Sequence, residues 1–234
     1  MTREAAVPIQ AIIFDLDGTL YAQRRVRARM LLELAGGFFG DPRGCYKVGR
    51  FLLAYRRAQE ELRRLDAHRA KDQLWLACQK TGTADQAWAS RIVDEWMDQR
   101  PLRFLSQAIR PGLTTFLAKA RRRGIKLGLC SDYPAERKLH ALGLSGAFDV
   151  VVSAQDPAID CFKPNPAGLL SVMSELGVRP DKAAYVGDRT DVDGETARRA
   201  GVQAYILSST TQGADCIGVH SFAELGRRMG IMEA

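Results

Sequence analysis

The stretch Ile9–Leu20, IQAIIFDLDGTL, decides the fold. Its first half, Ile9 to Phe14, is short, rich in isoleucine and closed by a polar cluster, the pattern of a fully buried strand. Its second half places two carboxylates, Asp15 and Asp17, two residues apart just past that strand. Gly18 permits the backbone turn that brings both to one place. In open parallel sheets ligands bind beyond the carboxyl ends of the strands, so a site is expected here.

Outward from this stretch the pattern changes twice. Between Val26 and Met97 no comparable strand appears. Apolar residues recur instead at helical spacing: Leu52, Tyr55, Leu62 and Leu65 in 50–66, then Trp88, Ile92, Trp96 and Met97 in 86–99. Gly36-Gly37, Asp41-Pro42 and Thr81-Gly82 divide the region into three or four helices. After Pro101 strands and helices alternate. A helix opening at Pro111 and closing at Gly124 precedes the strand Ile125 to Cys130, and a helix over 134–142 precedes the strand Phe148 to Val152. A helix over 166–176 leads to the strand Ala183 to Val186, and one over 193–200 leads to the strand Val202 to Leu207. This alternation predicts an α/β fold, a doubly wound, mostly parallel sheet with a Rossmann-like core. Residues 1–20 and 106–234 form that core, and 21–105 form a helical insertion after its first strand.

Composition bounds the function. The chain has 234 residues, 46% hydrophobic and 26% charged, which suits a globular protein with a sizeable core and excludes disorder for most of it. No run approaches the roughly 18–20 apolar residues of a membrane span. The first apolar run lacks the length and cleavage site of a signal peptide, so a cytoplasmic protein is expected. Five scattered cysteines without a CxxC pair argue against a disulfide framework or a zinc site, and three dispersed histidines against a metal cluster. His68, His140 and His220 read as structural or solvent-facing, and Trp75, Trp88 and Trp96 as apolar core of the insertion. The net charge of +7 is not spread evenly. Residues 21–105 hold 17 Lys/Arg against 10 Asp/Glu, and the remainder holds 17 against 17. The whole excess therefore sits in the helical insertion.

Four strand ends are followed by reactive side chains. After Asp15 and Asp17 come Ser131-Asp132, then Lys163-Pro164, then Gly187-Asp188 with Asp191 and Asp193 close behind. Several carboxylates in one place repel each other unless a cation neutralises them. Oxygen ligands of this kind suit Mg²⁺, which also binds substrate phosphate. A lysine and a serine hydroxyl are natural partners for phosphoryl oxygens. The set points to Mg²⁺-dependent phosphoryl chemistry with a carboxylate nucleophile available. Ser131 can also cap the helix that follows Pro134.

FDLDGTL, a serine after the next core strand, KPNP and VGDRTDVD, in this order and context, resemble the haloacid dehalogenase superfamily of phosphohydrolases. The resemblance covers 9–20 and 106–207, with the insertion where that superfamily carries a helical cap. It implies that Asp15 is the nucleophile that becomes an aspartyl phosphate, and that Asp17 is general acid and then general base. It implies a metal held by Asp15, the backbone carbonyl of Asp17 and Asp188. It further implies that Thr19 steadies Asp17, that Ser131 and Lys163 contact phosphoryl oxygens, and that Asp193, or less readily Asp191, is a supporting acid. Asp132 stands where Asn is frequent and Arg189 where Ser is frequent, which bears on the contacts to substrate.

The arginines of the insertion fall into two groups. Arg56, Arg57, Arg63 and Arg64 interleave with Glu60 and Glu61 at i,i+3 and i,i+4 spacing and read as a self-compensated, solvated face. Arg24, Arg25, Arg27 and Arg29 have only Glu33 within such reach, and at least one is expected to meet an anionic part of the substrate. The function expected is a Mg²⁺-dependent phosphatase of a small phosphorylated metabolite, phosphoglycolate-like or nucleotide-like. The alternatives are a sugar phosphomutase of the same superfamily, or a non-catalytic protein binding phosphate or nucleic acid. A dehalogenase has no need of Asp17, and a phosphomutase of this superfamily usually carries a His soon after the first motif, which this chain lacks. Neither a membrane nor nucleic acid is an expected partner, and the chain is expected as a monomer or homodimer.

Overall fold

A computed structural model describes residues 9–65, 69–208 and 215–232. The reading of His68 lies outside the described residues. Six strands form one parallel sheet in the order β3-β2-β1-β4-β5-β6. They are β1 (Ala11–Phe14), β2 (Lys126–Ser131), β3 (Val150–Ser153), β4 (Ala183–Gly187), β5 (Gln203–Leu207) and β6 (Cys216–Val219). Five match the expected strands to within two residues at each end. The sixth was not expected.

Helices fill the connections. Between β1 and β2 lie α1 (Gln23–Gly37), α2 (Pro42–Leu65), α3 (Gln73–Thr81), α4 (Gln86–Val93), a π-helical stretch Asp94–Gln99, and α5 (Arg100–Leu105). The rest are α6 (Leu113–Arg122), α7 (Glu136–Ala141), α8 (Ala167–Leu176), α9 (Glu195–Ala200) and α10 (Phe222–Arg228). No described helix is long and apolar enough to cross a membrane.

The central strand explains its own sequence. Ala11, Ile12, Ile13 and Phe14 are all fully buried, because β1 has a strand on each side and helices on both faces. Successive residues serve opposite layers. Ile12 and Phe14 join α6, α7 and α10, where the ring of Phe14 packs 5.9–6.4 Å from those of Phe116, Phe148 and Phe222. Ala11 and Ile13 join α8 and α9. Gly128 sets the distance of that second layer: a Cβ there would lie 2.5 Å from Val172 Cγ1, so α8 needs glycine beneath it.

The helices between β1 and β2 build a core of their own from Phe51, Tyr55, Ala58, Ala77, Cys78, Ala89 and Ile92. Phe51 meets Trp88 edge-on at 5.3 Å. The expected apolar face needs two corrections: Leu65 is 55% and Trp75 49% exposed, since both lie off the buried stripe. The chain leaves and re-enters the sheet through adjacent stems. Tyr21 bridges Asp17 on one side and Ile109 on the other, and Ala22 N donates to Ala108 O at 2.8 Å.

Candidate active site

Register brings the four strand ends together. Phe14 pairs with Leu129 of β2 and Val186 of β4, so Asp15 emerges level with the ends of both neighbours. Its backbone N–H still donates to Val186 O at 2.8 Å, which fixes the first carboxylate to the rigid sheet. The connection after β3 returns over the same edge and delivers Lys163.

Lys163 is the hub. Buried, its Nζ lies 2.6 Å from Asp15 Oδ1 and 2.6 Å from Asp193 Oδ1, with the Tyr185 hydroxyl at 3.3 Å. Burial disfavours its charge, but Asp15 and Asp193 outweigh that and hold it as an ammonium. Asp193 spends its other oxygen on two backbone donors, Asp188 N at 3.1 Å and Arg189 N at 3.0 Å. It thereby shapes the loop that presents Asp188. Asp191 is exposed and pairs with Arg189 Nη2 at 2.6 Å, outside the cluster.

Carboxylate oxygens of Asp15, Asp188 and Asp193 all lie within 4.8 Å of one another. Three carboxylates face one lysine. Burial pushes the Asp15 carboxyl well up; Lys163 opposes this, while Asp193 and Asp188 add to it. Burial, then Asp193, raises Asp188 to about 6. Gly18 makes the crowding possible: at φ +102° its absent Cβ would lie 2.1 Å from Asp188 Oδ2. Arg110 pins this turn by donating to Gly18 O from Nε at 2.9 Å and Nη2 at 2.7 Å.

Asp17 is held differently. Lys138 Nζ sits 2.7 Å from both of its carboxylate oxygens, and the Tyr21 hydroxyl donates to Oδ1. Burial would raise this carboxyl, but Lys138 and Tyr21 together bring it below the usual range. Thr19 corrects the expected pairing: its hydroxyl donates to Asp15 Oδ2 at 2.9 Å, not to Asp17. Ser131 is buried, and its Oγ accepts from Tyr133 N at 3.3 Å.

Asp132 is a junction between layers. Its Oδ1 accepts from Lys163 N at 3.2 Å, while Oδ2 accepts from Gln59 Nε2 at 3.3 Å and from Arg63 Nη2. This overturns the solvated-face reading of Arg63, whose side chain is only 9% exposed. Further ties bind the helices to the sheet: Arg189 Nη1 to Glu60 at 3.0 Å, and Arg137 Nη1 to Asp94 at 3.2 Å and Asp98 at 2.8 Å. Asp132→Ala should destabilise the fold by about 1–3 kcal/mol, because it leaves the Arg63 guanidinium short of a charged partner. Urea unfolding checks this, and a midpoint equal to that of the unmodified chain would show the junction to be energetically idle.

Above the cluster opens a cleft of ≈ 680 Å³ between the sheet edge and the helices. Its floor includes Asp15, Asp17, Lys138, Lys163 and Asp188. Its wall takes Arg27 and Met30 from α1, and Leu52, Arg56 and Arg63 from α2. Arg27 alone of its group reaches this wall; Arg24, Arg25 and Arg29 lie exposed, off the lining face. Arg56, read from spacing as solvated, is exposed and lines the wall of the cleft as well.

Sequence reading missed Tyr21, Gln59, Arg110, Lys138 and Tyr185. Lys138 stands beside Arg137 on a short helix, and nothing local separates the lysine that meets Asp17 from the arginine that meets Asp94 and Asp98.

Comparison with known proteins fits this geometry. A model of haloacid dehalogenase-like hydrolases matches residues 9–201. A phosphoglycolate phosphatase of Rhodospirillum rubrum is 34% identical over 129 residues, 54% of this chain and 51% of that protein, so the match spans about half its length. A glyceraldehyde 3-phosphate phosphatase of Methanopyrus kandleri is 28% identical over 83% of this chain and 82% of its own. Among solved structures, the HAD-hydrolase YfnB of Bacillus subtilis, bound to magnesium, superposes with a TM-score of 0.69 at 14% identity, covering 96% of this chain and 100% of that one. That last likeness is one of fold.

Proposed function

This chain belongs to the haloacid dehalogenase-like hydrolases, and from that premise we propose that it hydrolyses a small phosphoric monoester through an aspartyl phosphate on Asp15. The observation that carries the reading is the Lys163 hub, which holds Asp15 and Asp193 at 2.6 Å each beneath an open cleft. The phosphatases among its relatives support the same substrate class.

The residues fit a divalent cation. Three carboxylates within 4.8 Å against one ammonium leave negative charge uncompensated, and the raised Asp188 carboxyl reflects it. Hard oxygen donors of this kind suit Mg²⁺. Asp15, Asp188 and the backbone carbonyl of Asp17 would hold the ion, with Asp193 committed to Lys163 and to the loop. When bound, it supplies positive charge toward the phosphoryl oxygens and the nucleophile.

The chain's own groups divide the remaining work. An Asp15 oxygen attacks phosphorus while the bond to the leaving oxygen breaks. Lys163 and Ser131 offer donors to the phosphoryl oxygens as charge shifts onto them. Asp17 relays a proton from Lys138, whose Nζ touches both of its oxygens beside the nucleophile, to the departing oxygen, which leaves as the alcohol. In the second step the Asp17 carboxylate, which its two partners keep ionised, removes a proton from water and returns it to Lys138. That water attacks phosphorus, the phosphoryl–Asp15 bond breaks, and free phosphate leaves with Asp15 restored. The helices over the cleft limit entry of bulk water to the intermediate.

Phosphate release from p-nitrophenyl phosphate tests the reading. Turnover is expected with Mg²⁺, loss to background with EDTA, and recovery when Mg²⁺ is added in excess. Absence of turnover under all three conditions would reject the phosphatase assignment, and equal turnover under all three would reject the metal.

A further inference from the structure

The cleft contains more cations than its own carboxylates engage. Lys163 is taken by Asp15 and Asp193, Lys138 by Asp17, Arg63 by Glu60 and Asp132, and Arg189 by Glu60 and Asp191. Asp94 and Asp98, which also line the cleft, are taken by Arg137. Arg27 and Arg56 remain, and among the described residues neither has a carboxylate partner. Both line the cleft, Arg27 from α1 and Arg56 from α2. Burial, and then the neighbouring Arg27, disfavours the charge on Arg56. Both side chains are exposed to the cleft and Arg56 feels Asp17 without forming an ion pair with it, so an anion between the two arginines would offset their mutual repulsion.

Their place along the helices fixes where such an anion sits. Arg63 marks the end of α2 nearest the sheet, through Asp132. Arg56 lies seven residues, or two turns, farther out, about 10 Å along the axis. Arg27 lies little more than one turn into α1, whose first residue follows Tyr21 and its bond to Asp17 by two positions. The lining also carries apolar side chains of α1 and α2, Leu31, Leu34, Leu52 and Leu53.

We infer that the substrate carries a second anionic group, a carboxylate or a phosphate, remote from the transferred phosphoryl group, and that Arg27 and Arg56 together bind it. The inference rests on the phosphatase reading and narrows its substrate class. The two arginines are binding residues for the part of the substrate that does not react, and they set which monoesters the enzyme prefers.

A ladder of matched synthetic esters tests it: linear alkyl phosphates of two, four and six carbons, each compared with the same chain ending in a carboxylate or a second phosphate. One rung of the ladder should show kcat/KM about 10- to 100-fold higher for the anionic ester than for its alkyl match, the worth of one charge-assisted contact. Whether the carboxylate or the bisphosphate arm shows the larger preference identifies the anion. Arg27→Ala and Arg56→Ala should each cut that preference about tenfold or more, mainly through KM. Arg57→Ala, on the exposed side of the same helix, should leave it intact, and far-ultraviolet circular dichroism would show that each variant is folded. Alkyl and anionic esters hydrolysed equally well at every length would overturn the inference while leaving the phosphatase reading standing. Retention of the preference by both arginine variants would overturn it in the same way. If no ester and no p-nitrophenyl phosphate is hydrolysed, the underlying reading fails and the inference falls with it.

Discussion

Asp15→Asn should reduce phosphate release to background with every ester. The amide cannot supply the anionic oxygen that attacks phosphorus, and no other described carboxylate stands where it can take over. Asp193 is bound to Lys163 and two backbone donors, and Asp17 to Lys138 and Tyr21. The same change removes one of three crowded carboxylates, so it should not unfold the chain. Burial and the neighbouring acids disfavour the Asp15 charge, and a neutral amide of the same shape relieves that repulsion; its oxygen can keep the bond from Lys163, and its NH2 can donate to the Thr19 hydroxyl in place of accepting from it. The expected signature is therefore a dead enzyme with a melting temperature at or near that of the unmodified chain. Retained turnover would place the nucleophile elsewhere. A collapsed melting temperature would make the loss of activity uninformative, and Asp15→Glu, which keeps the charge but moves the oxygen, would then decide: it too should be inactive.

Asp17→Asn should cost ~10²–10⁴ in rate, the usual worth of a positioned proton-transfer group. The size of the loss should depend on the ester. The p-nitrophenolate leaves readily without a proton, so its first step should suffer least, whereas an alkyl phosphate should lose the full factor. Equal losses for the two esters would show that Asp17 does not serve the leaving group. Because Lys138 touches both Asp17 oxygens, the amide also strands that lysine beside a neutral partner. Part of the loss therefore belongs to Lys138, and the double variant Asp17→Asn, Lys138→Met should be little worse than Asp17→Asn alone if the two act as a unit.

The sheet was readable in the sequence where burial on both faces made its strands short and apolar. Ile12, Ile13 and Phe14 have no exposed side to mark with polar residues, and the same holds along β2 and β4. β6 escaped because it lies at the edge: Cys216, Ile217 and Gly218 are only partly buried, and four residues with a central glycine carry little pattern. Most of the floor of the cleft was legible as motifs, because Asp15, Asp17 and Asp188 come from strand ends and Lys163 from the connection after β3; Lys138, on α7, was not. The wall was not. Arg56 and Arg63 stand at i,i+4 and i,i+3 from Glu60, the spacing of a solvated pair, yet Arg63 and Gln59 turn to Asp132 at the sheet, and Arg56, though exposed, lines the cleft. Spacing on a helix reports which residues lie on one face, not which way that face looks. Thr19 shows the same limit at short range, because the turn at Gly18 decides whether its hydroxyl meets Asp15 or Asp17.

The position of β1 in the sheet also bears on how the protein assembles. Ala11 pairs with Lys126 on one side and Ala183 on the other, so the middle of the sheet is the earliest strand in the chain and its partners come far later. Loop-closure entropy must be overcome twice before that strand gains a neighbour, whereas α2 and α3 meet across a short connection. Topology of this kind slows folding. Asp15, Lys163 and Asp188 come from three such distant segments. The chemistry of the site therefore exists only in the completed chain, and an intermediate in which the helices have formed would have the wall of a cleft without its floor.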